Sequence, residues 1–310
     1  MILVMMQSHM SFASEREAAE FVAKCEREFE ERLSGAVERV CEHRGVRLIG
    51  LSGPTCSGKT TAANKLIKHL ASQGKKVHVI SIDDFYYDRD VLIARANNDP
   101  NIEVDYDSEE TIDLEELGRC ISQVFTDEPT QVPKFDFLTG KRSGYVTIDA
   151  DENDMFIFEG IQAIYPSVTE LFRKYDYKSV YISVESGIQI EDRTFSTDEI
   201  RLMRRLVRDY NFRGAAPEFT LYLWESVRTN EELSIFPYAV DCDYFINSTM
   251  PFEINMLAPY LREILPKVPA DNKFRGKAEA MLKKIEGIQA VSPKLLSVDS
   301  LYNEFLKREE

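Results

Sequence analysis

The sequence has no cysteine pair that suggests a C-x2-C ligand set or a disulfide framework. Its five cysteines, Cys25, Cys41, Cys56, Cys120 and Cys242, are odd in number and widely spaced, which fits a reducing compartment, with the cytoplasm as the default expectation. No apolar run of about 18 residues or more occurs, so no membrane span is expected. The short apolar opening at 1–6 lacks a basic leader and runs into the acidic stretch 15–31, so a signal peptide is not expected either. Positive charge is scarce: 38 Lys and Arg face 53 Asp and Glu, for a formal charge of −15. Such a surface repels nucleic acid and anionic lipid at long range, so neither is an expected partner, and a phosphate ligand must be gripped by a local basic site. There is no internal repeat and no low-complexity tract. With 310 residues, 44% of them hydrophobic, the chain is long enough for one α/β domain with peripheral helices.

What is present reads as alternating strands and helices. Residues 14–43 carry Phe21, Val22, Cys25, Phe29, Leu33, Val37 and Val40 at three- and four-residue steps, the pattern of an amphipathic helix laid on a main domain. Residues 47–52 (RLIGLS) read as a strand, followed by a glycine-rich run, a helical stretch with Ala62, Ala63, Leu66, Ile67 and Leu70, and a second strand at 76–82. Short apolar runs at 155–158, 179–184 and 244–246 read as further buried parallel strands. Residues 132–137 and 145–148 flank the turn-rich LTGKRSG and predict a hairpin standing off the sheet. Residues 97–100 are expected to be an exposed loop. We divide the chain into a helical arm (1–45), a main domain (46–265, with a lid at about 193–214) and a helical tail (266–310) that contains no readable chemical motif.

The run Gly53-Pro54-Thr55-Cys56-Ser57-Gly58-Lys59-Thr60 satisfies G-x-x-x-x-G-K-[ST] and stands between a strand and a helix, the context that makes the motif specific. Loop amides and a helix N-terminus face phosphate there, Lys59 neutralises β/γ charge, and the Thr60 hydroxyl is a Mg²⁺ ligand. The expected nucleotide contacts are Gly53, Thr55, Cys56, Ser57, Gly58, Lys59, Thr60 and Thr61. For Cys56 the simpler reading is a small side chain tolerated in the loop. A thiol activated by the helix N-terminus is the alternative.

Ligands of open α/β sheets bind beyond the carboxyl ends of the strands. Two carboxylates fall there, Asp83 in IDDFY and Glu159 in FEG. Phosphoryl transfer to a hydroxyl needs a proton acceptor and metal-binding oxygens, so Asp83 is assigned as base and Glu159 as the residue at or near the metal. Asp84 reads better as a local cap. Further on, Arg201, Arg204, Arg205 and Arg208 share one helical face, and 193–213 holds six arginines against three carboxylates. A face of that kind is suited to clamping phosphate as a lid.

These blocks, GPTCSGKTT, SIDDFYYD, KFDFLTGKR, FEGIQAIY and RLMRRLVRD followed by FRG, resemble the uridine kinase and phosphoribulokinase family of P-loop kinases over 46–247. The chain looks most like the kinase half of uridine-kinase-like proteins that carry a TGS domain. The resemblance implies a P-loop NTPase fold of the α/β class: a five-stranded parallel sheet flanked by helices, with a substrate-side β-hairpin and a mobile helical lid. It implies ATP and Mg²⁺ as cofactors, Asp83 as general base, and Thr60, Asp83 and Glu159 around the metal. Lid arginines would reach the phosphates, Arg204 in catalysis and Arg205 and Arg208 in nucleotide binding. Asp107 and Arg201 match positions that hold ribose hydroxyls, and Tyr86, Tyr106, Phe135 and Phe137 would line the acceptor pocket. Related kinases form dimers or tetramers. Two positions depart from the family: Gly140 and Phe219 stand where uridine kinases read the base with a histidine and a glutamine. Uridine or cytidine therefore competes with a sugar, polyol or other ribose compound as acceptor, and Gly140→His is expected to favour uridine. A reading from another class, an ATP-binding switch that transfers nothing, is opposed by the complete catalytic set.

Overall fold

In a computed structural model, residues 4–43, 45–95, 108–126 and 128–307 are described. Ten strands occur among them: β1 (Val4–Gln7), β2 (Leu48–Ser52), β3 (Val77–Ser81), β4 (Thr130–Asp136), β5 (Lys141–Ile148), β6 (Met155–Glu159), β7 (Tyr177–Ser183), β8 (Ser186–Ile190), β9 (Arg193–Phe195) and β10 (Tyr244–Asn247). The helices are α1 (Glu15–Cys41), α2 (Lys59–Ser72), α3 (Arg89–Arg95), α4 (Leu114–Gln123), α5 (Pro166–Phe172), α6 (Thr197–Arg213), α7 (Pro217–Ser234), α8 (Phe236–Ala239), α9 (Glu253–Ile264) and α10 (Arg275–Lys284).

Strand β2 is buried along its whole length. It is the centre of a five-stranded parallel sheet of order β10-β7-β2-β6-β3, and its continuous apolar run is what burial on both faces requires. Two apolar clusters cover the two faces, one under α1, α2, α6 and α9, the other under α4 and α5. The parallel register matters for function. Leu51 and Ser81 both pair with Glu159, so the carboxyl ends of β2, β6 and β3 finish level. Whatever follows them, the phosphate loop after β2, Asp83 after β3 and the turn after β6, emerges on one rim, next to the point where the chain order switches sides of β2.

The other features frame that rim. The hairpin β4–β5 is antiparallel, with a bulge between Lys134 and Phe135. Helix α1 is capped by Ser14, whose hydroxyl accepts from Glu17 N, and it buries Val22, Cys25, Phe29, Leu33, Val37 and Val40 at helical spacing. The segment read as a purely helical arm also supplies a strand: β1 runs parallel to β8, which pairs with β9 in a small second sheet. Four exposed or half-buried residues in β1 gave no alternating pattern strong enough to read. Residues 97–100, expected as a loop, lie outside the described residues.

Candidate active site

The phosphate loop is shaped by two glycines whose space is already taken. A Cβ on Gly53 would lie 2.2 Å from the Ile182 carbonyl oxygen, and Gly58 caps α2 with φ +90°, a left-handed conformation that favours glycine. Cys56 also has positive φ, 60°, and is buried, consistent with a small side chain at a tight loop. The Thr60 side chain is exposed at the start of α2, and Lys59 is half-buried. The Lys59 ammonium lies 3.8 Å from Glu159 Oε2, while Glu159 Oε1 accepts from Ser81 Oγ at 3.2 Å. The Ser52 hydroxyl ties the turn after β6 to β2 by donating to the Ile161 carbonyl at 2.9 Å.

Asp83 lies in a 3-10 turn, Ile82–Phe85, that opens directly from β3. Its Oδ1 accepts from the Tyr86 hydroxyl at 3.0 Å, and that hydroxyl in turn accepts from Gln162 Nε2 at 2.5 Å. The buried amide thus fixes the phenol, and the phenol orients the carboxylate. Gln162 carried no signal in the sequence, because it acts through a residue 76 positions away in the chain. Asp84 holds the hairpin: its carboxylate accepts from the Phe135 amide at 3.1 Å and from Lys134 Nζ at 2.5 Å. This brings Phe135 and Phe137 to Tyr86, with ring centroids 5.2–6.0 Å apart and edge-to-face geometry. Three of the four aromatics expected at the acceptor pocket therefore meet beside Asp83. The fourth, Tyr106, and Asp107 lie outside the described residues.

The arginine helix departs from expectation. Its cationic face is largely inside the protein, because α6 packs on α7 and α9. The Arg201 guanidinium is bidentate on buried Glu231, and its Nε donates to the Thr55 carbonyl at 3.1 Å. Arg204 is fully buried. It pairs with Glu253 at 2.7 and 3.0 Å and donates to the Cys56 carbonyl (3.2 Å), Ser248 Oγ (3.2 Å), the Ser248 carbonyl (2.8 Å) and the Tyr302 hydroxyl (3.2 Å). Burial alone would push this guanidinium down, but Glu253 and Tyr302 hold it above the ordinary arginine range. Expected at a ligand, both guanidiniums are instead engaged here by buried carboxylates and by the carbonyls of Thr55 and Cys56. Helical periodicity marks which residues share a face but not whether that face looks outward, and the partners Glu231 and Glu253 come from elements distant in sequence. Arg205 and Arg208, the two arginines expected at the nucleotide, are both drawn to Asp209. Arg208 is half-buried and donates to Asp209 at 2.7 and 2.9 Å. Arg205 Nε is 3.3 Å from Asp209 Oδ2.

Gly140, one of the two departures from the family pattern, has φ 65° in the hairpin turn, where its amide donates to the Asp136 carbonyl at 2.7 Å. Glycine is what this turn calls for, so a histidine introduced there would carry strain of its own, and the expected gain from Gly140→His is not a clean test of base reading. Phe219, the other departure, is exposed near the start of α7.

Among the described residues, no helix is long and apolar enough to cross a membrane. A profile of the Phosphoribulokinase / Uridine kinase family matches residues 48–251. The chain is 28% identical over 184 residues to a uridine kinase of Staphylococcus aureus, covering 59% of this chain and 78% of that one. It is 27% identical over 176 residues to uridine-cytidine kinase C of Dictyostelium discoideum, covering 57% of this chain and 33% of that protein, so it spans a third of that relative's length. Among solved structures, the YGR205w protein superposes with a TM-score of 0.50 at 16% identity, covering 71% of this chain and 96% of that one, a likeness of fold.

Proposed function

Because the chain belongs to the phosphoribulokinase and uridine kinase family, we propose that it transfers the γ-phosphate of ATP to a hydroxyl group of a small metabolite, with uridine or cytidine the first acceptors to test. The observation that carries this reading is the placement of Asp83. Its carboxylate is oriented by Tyr86, on the rim that also carries Lys59 and Glu159 and beside the aromatic cluster of Tyr86, Phe135 and Phe137.

The residues take distinct parts. Asp83 accepts the acceptor's hydroxyl proton as its oxygen bonds to the γ-phosphorus. Lys59 and the loop amides hold the negative charge that gathers on the departing diphosphate. Arg201 and Arg204 keep the loop carbonyls turned away from it. Thr60, Asp83 and Glu159 are oxygen donors at the α2 start and at neighbouring strand ends, a set that suits a hard cation also bound by phosphate. No group of three or more His, Cys, Asp and Glu forms a dedicated metal cage among the described residues. Mg²⁺ bound with the nucleotide would supply charge neutralisation to the phosphates. The aromatic cluster and the hairpin held by Asp84 supply an apolar wall beside Asp83 on the acceptor side.

Gly140 and Phe219 offer no side-chain amide or imidazole to a base edge, which gives a sugar or polyol acceptor a specific footing. The test is Mg²⁺-dependent ATP turnover against uridine, cytidine, other nucleosides, pentoses and cyclic polyols, with Asp83→Asn as the paired variant. Turnover with one acceptor class, lost by about 10²–10⁴-fold in Asp83→Asn while ATP binding persists, is the expected result. ATP binding without turnover across the panel would replace transfer with a nucleotide-dependent switch.

A further inference from the structure

The tail, in which the sequence shows no chemical motif, returns to the phosphate loop. A 3-10 turn, Leu301–Glu304, is capped by Ser300, whose hydroxyl accepts from Tyr302 N. Leu301, Tyr302, Phe305 and Leu306 are buried. Leu301 lies so close to the loop that a Cβ on Gly58 would fall 2.2 Å from its Cδ1. Tyr302 accepts from Arg204, the Phe305 carbonyl accepts from Asn211 Nδ2 at 3.0 Å, and Asp299 pairs with Lys68 at 2.9 Å. The segment is therefore a built wall of the loop, held at four points.

On that wall, Glu304 Oε1 accepts from the Thr61 amide at 2.5 Å. The first α2 amide with a helical acceptor is Ala62, which donates to the Gly58 carbonyl. The amides of Lys59, Thr60 and Thr61 precede it, and these unpaired donors are the ones a P-loop turns toward a phosphate chain. One of them is already held by a carboxylate of the chain itself. Arg208, which donates to Asp209, also lies within electrostatic reach of Glu304.

We infer that Glu304 sets nucleotide affinity: its carboxylate occupies the Thr61 amide as a stand-in for a phosphate oxygen, and a bound nucleotide must displace it. This deepens the kinase reading and rests on it. A single N–H cannot serve two anions, and two anions at that spacing repel. The apparent nucleotide affinity is thus reduced by the population in which Glu304 is docked. Removing the charge frees the Thr61 amide, and a charge-assisted bond of this kind sets the scale of the gain at roughly tenfold.

Calorimetric titration of the full chain with MgADP tests the inference in Glu304→Ala and in the isosteric Glu304→Gln, which guards against a folding defect. The expected result is roughly tenfold tighter binding in Glu304→Ala and a smaller gain in Glu304→Gln, whose amide oxygen still accepts from Thr61. The acceptor KM should stay unchanged in both. If Glu304 were only a cap on α2, the variants would melt earlier with MgADP affinity unchanged or weaker, and the inference would be overturned. If neither wild type nor variants bound MgADP, the phosphate-loop reading itself would fall, and this inference with it.

Discussion

Replacing Arg204 by alanine separates a lid that touches phosphate from a clamp that holds the loop. The guanidinium makes six hydrogen bonds inside the protein, and both it and Glu253 are fully buried. Alanine would leave the Glu253 carboxylate buried without its cation, a change that costs about 3–5 kcal/mol because the desolvated charge is no longer compensated. The carbonyls of Cys56 and Ser248 lose a donor at the same time. For a chain of this size that loss lowers Tm on the order of 5–10 °C, and ATP affinity falls with it as the loop loosens. A second variant sharpens the test. Arg204→Met combined with Glu253→Leu removes both charges, and a buried ion pair replaced by apolar side chains of similar volume is often close to neutral, so Tm should largely recover. Differential scanning fluorimetry with ATP titration reads both quantities. If Arg204→Ala melted within about 1 °C of wild type and lost only kcat, the clamp argument would be refuted and the arginine would act on the transferring phosphate.

Two further outcomes follow from other parts of the structure. Asp84→Ala should release the hairpin from the Asp83 turn and raise the acceptor KM by about tenfold, the worth of a charge-assisted bond to the Phe135 amide; an equal rise in the KM for ATP would argue against a local role. At the opposite end of the sheet, burial pushes the Asp154 carboxyl up, but hydrogen bonds from Lys76 and His78 outweigh it and hold the group at about 2. The folded-state value is depressed, so its contribution is complete above the ordinary carboxylate range and is lost as pH falls from about 4 towards 2. Asp154→Asn should cost about 1–2 kcal/mol near neutral pH, discounted because Lys76 is half exposed. The gap from wild type in urea unfolding should narrow in acid, and a gap independent of pH would contradict this account.

Much of the candidate rim was legible because its signals are local in sequence. The strand, glycine turn and helix around Lys59 occupy one unbroken segment, and an apolar run ending in a carboxylate marks a strand end whatever surrounds it. The five core strands were placed within two residues at each end for the same reason: burial on both faces writes itself as a continuous apolar run. The β1–β8–β9 sheet was not legible, since strands of three to five residues carry too few positions for a period to emerge.

By itself, the sequence determined the family, the P-loop with Lys59 and Thr60, and the carboxylates Asp83 and Glu159 at strand ends. Each depends on residues adjacent along the backbone, where local geometry links composition directly to chemistry. The tertiary structure decided which charges face the site and which face inward. Arg201 found Glu231 across 30 residues, Arg204 found Glu253 across 49, and the Thr61 amide met Glu304 across 243. Pairings at such separations are chosen by packing, through the cost of burying a charge alone. No periodicity in the sequence records them.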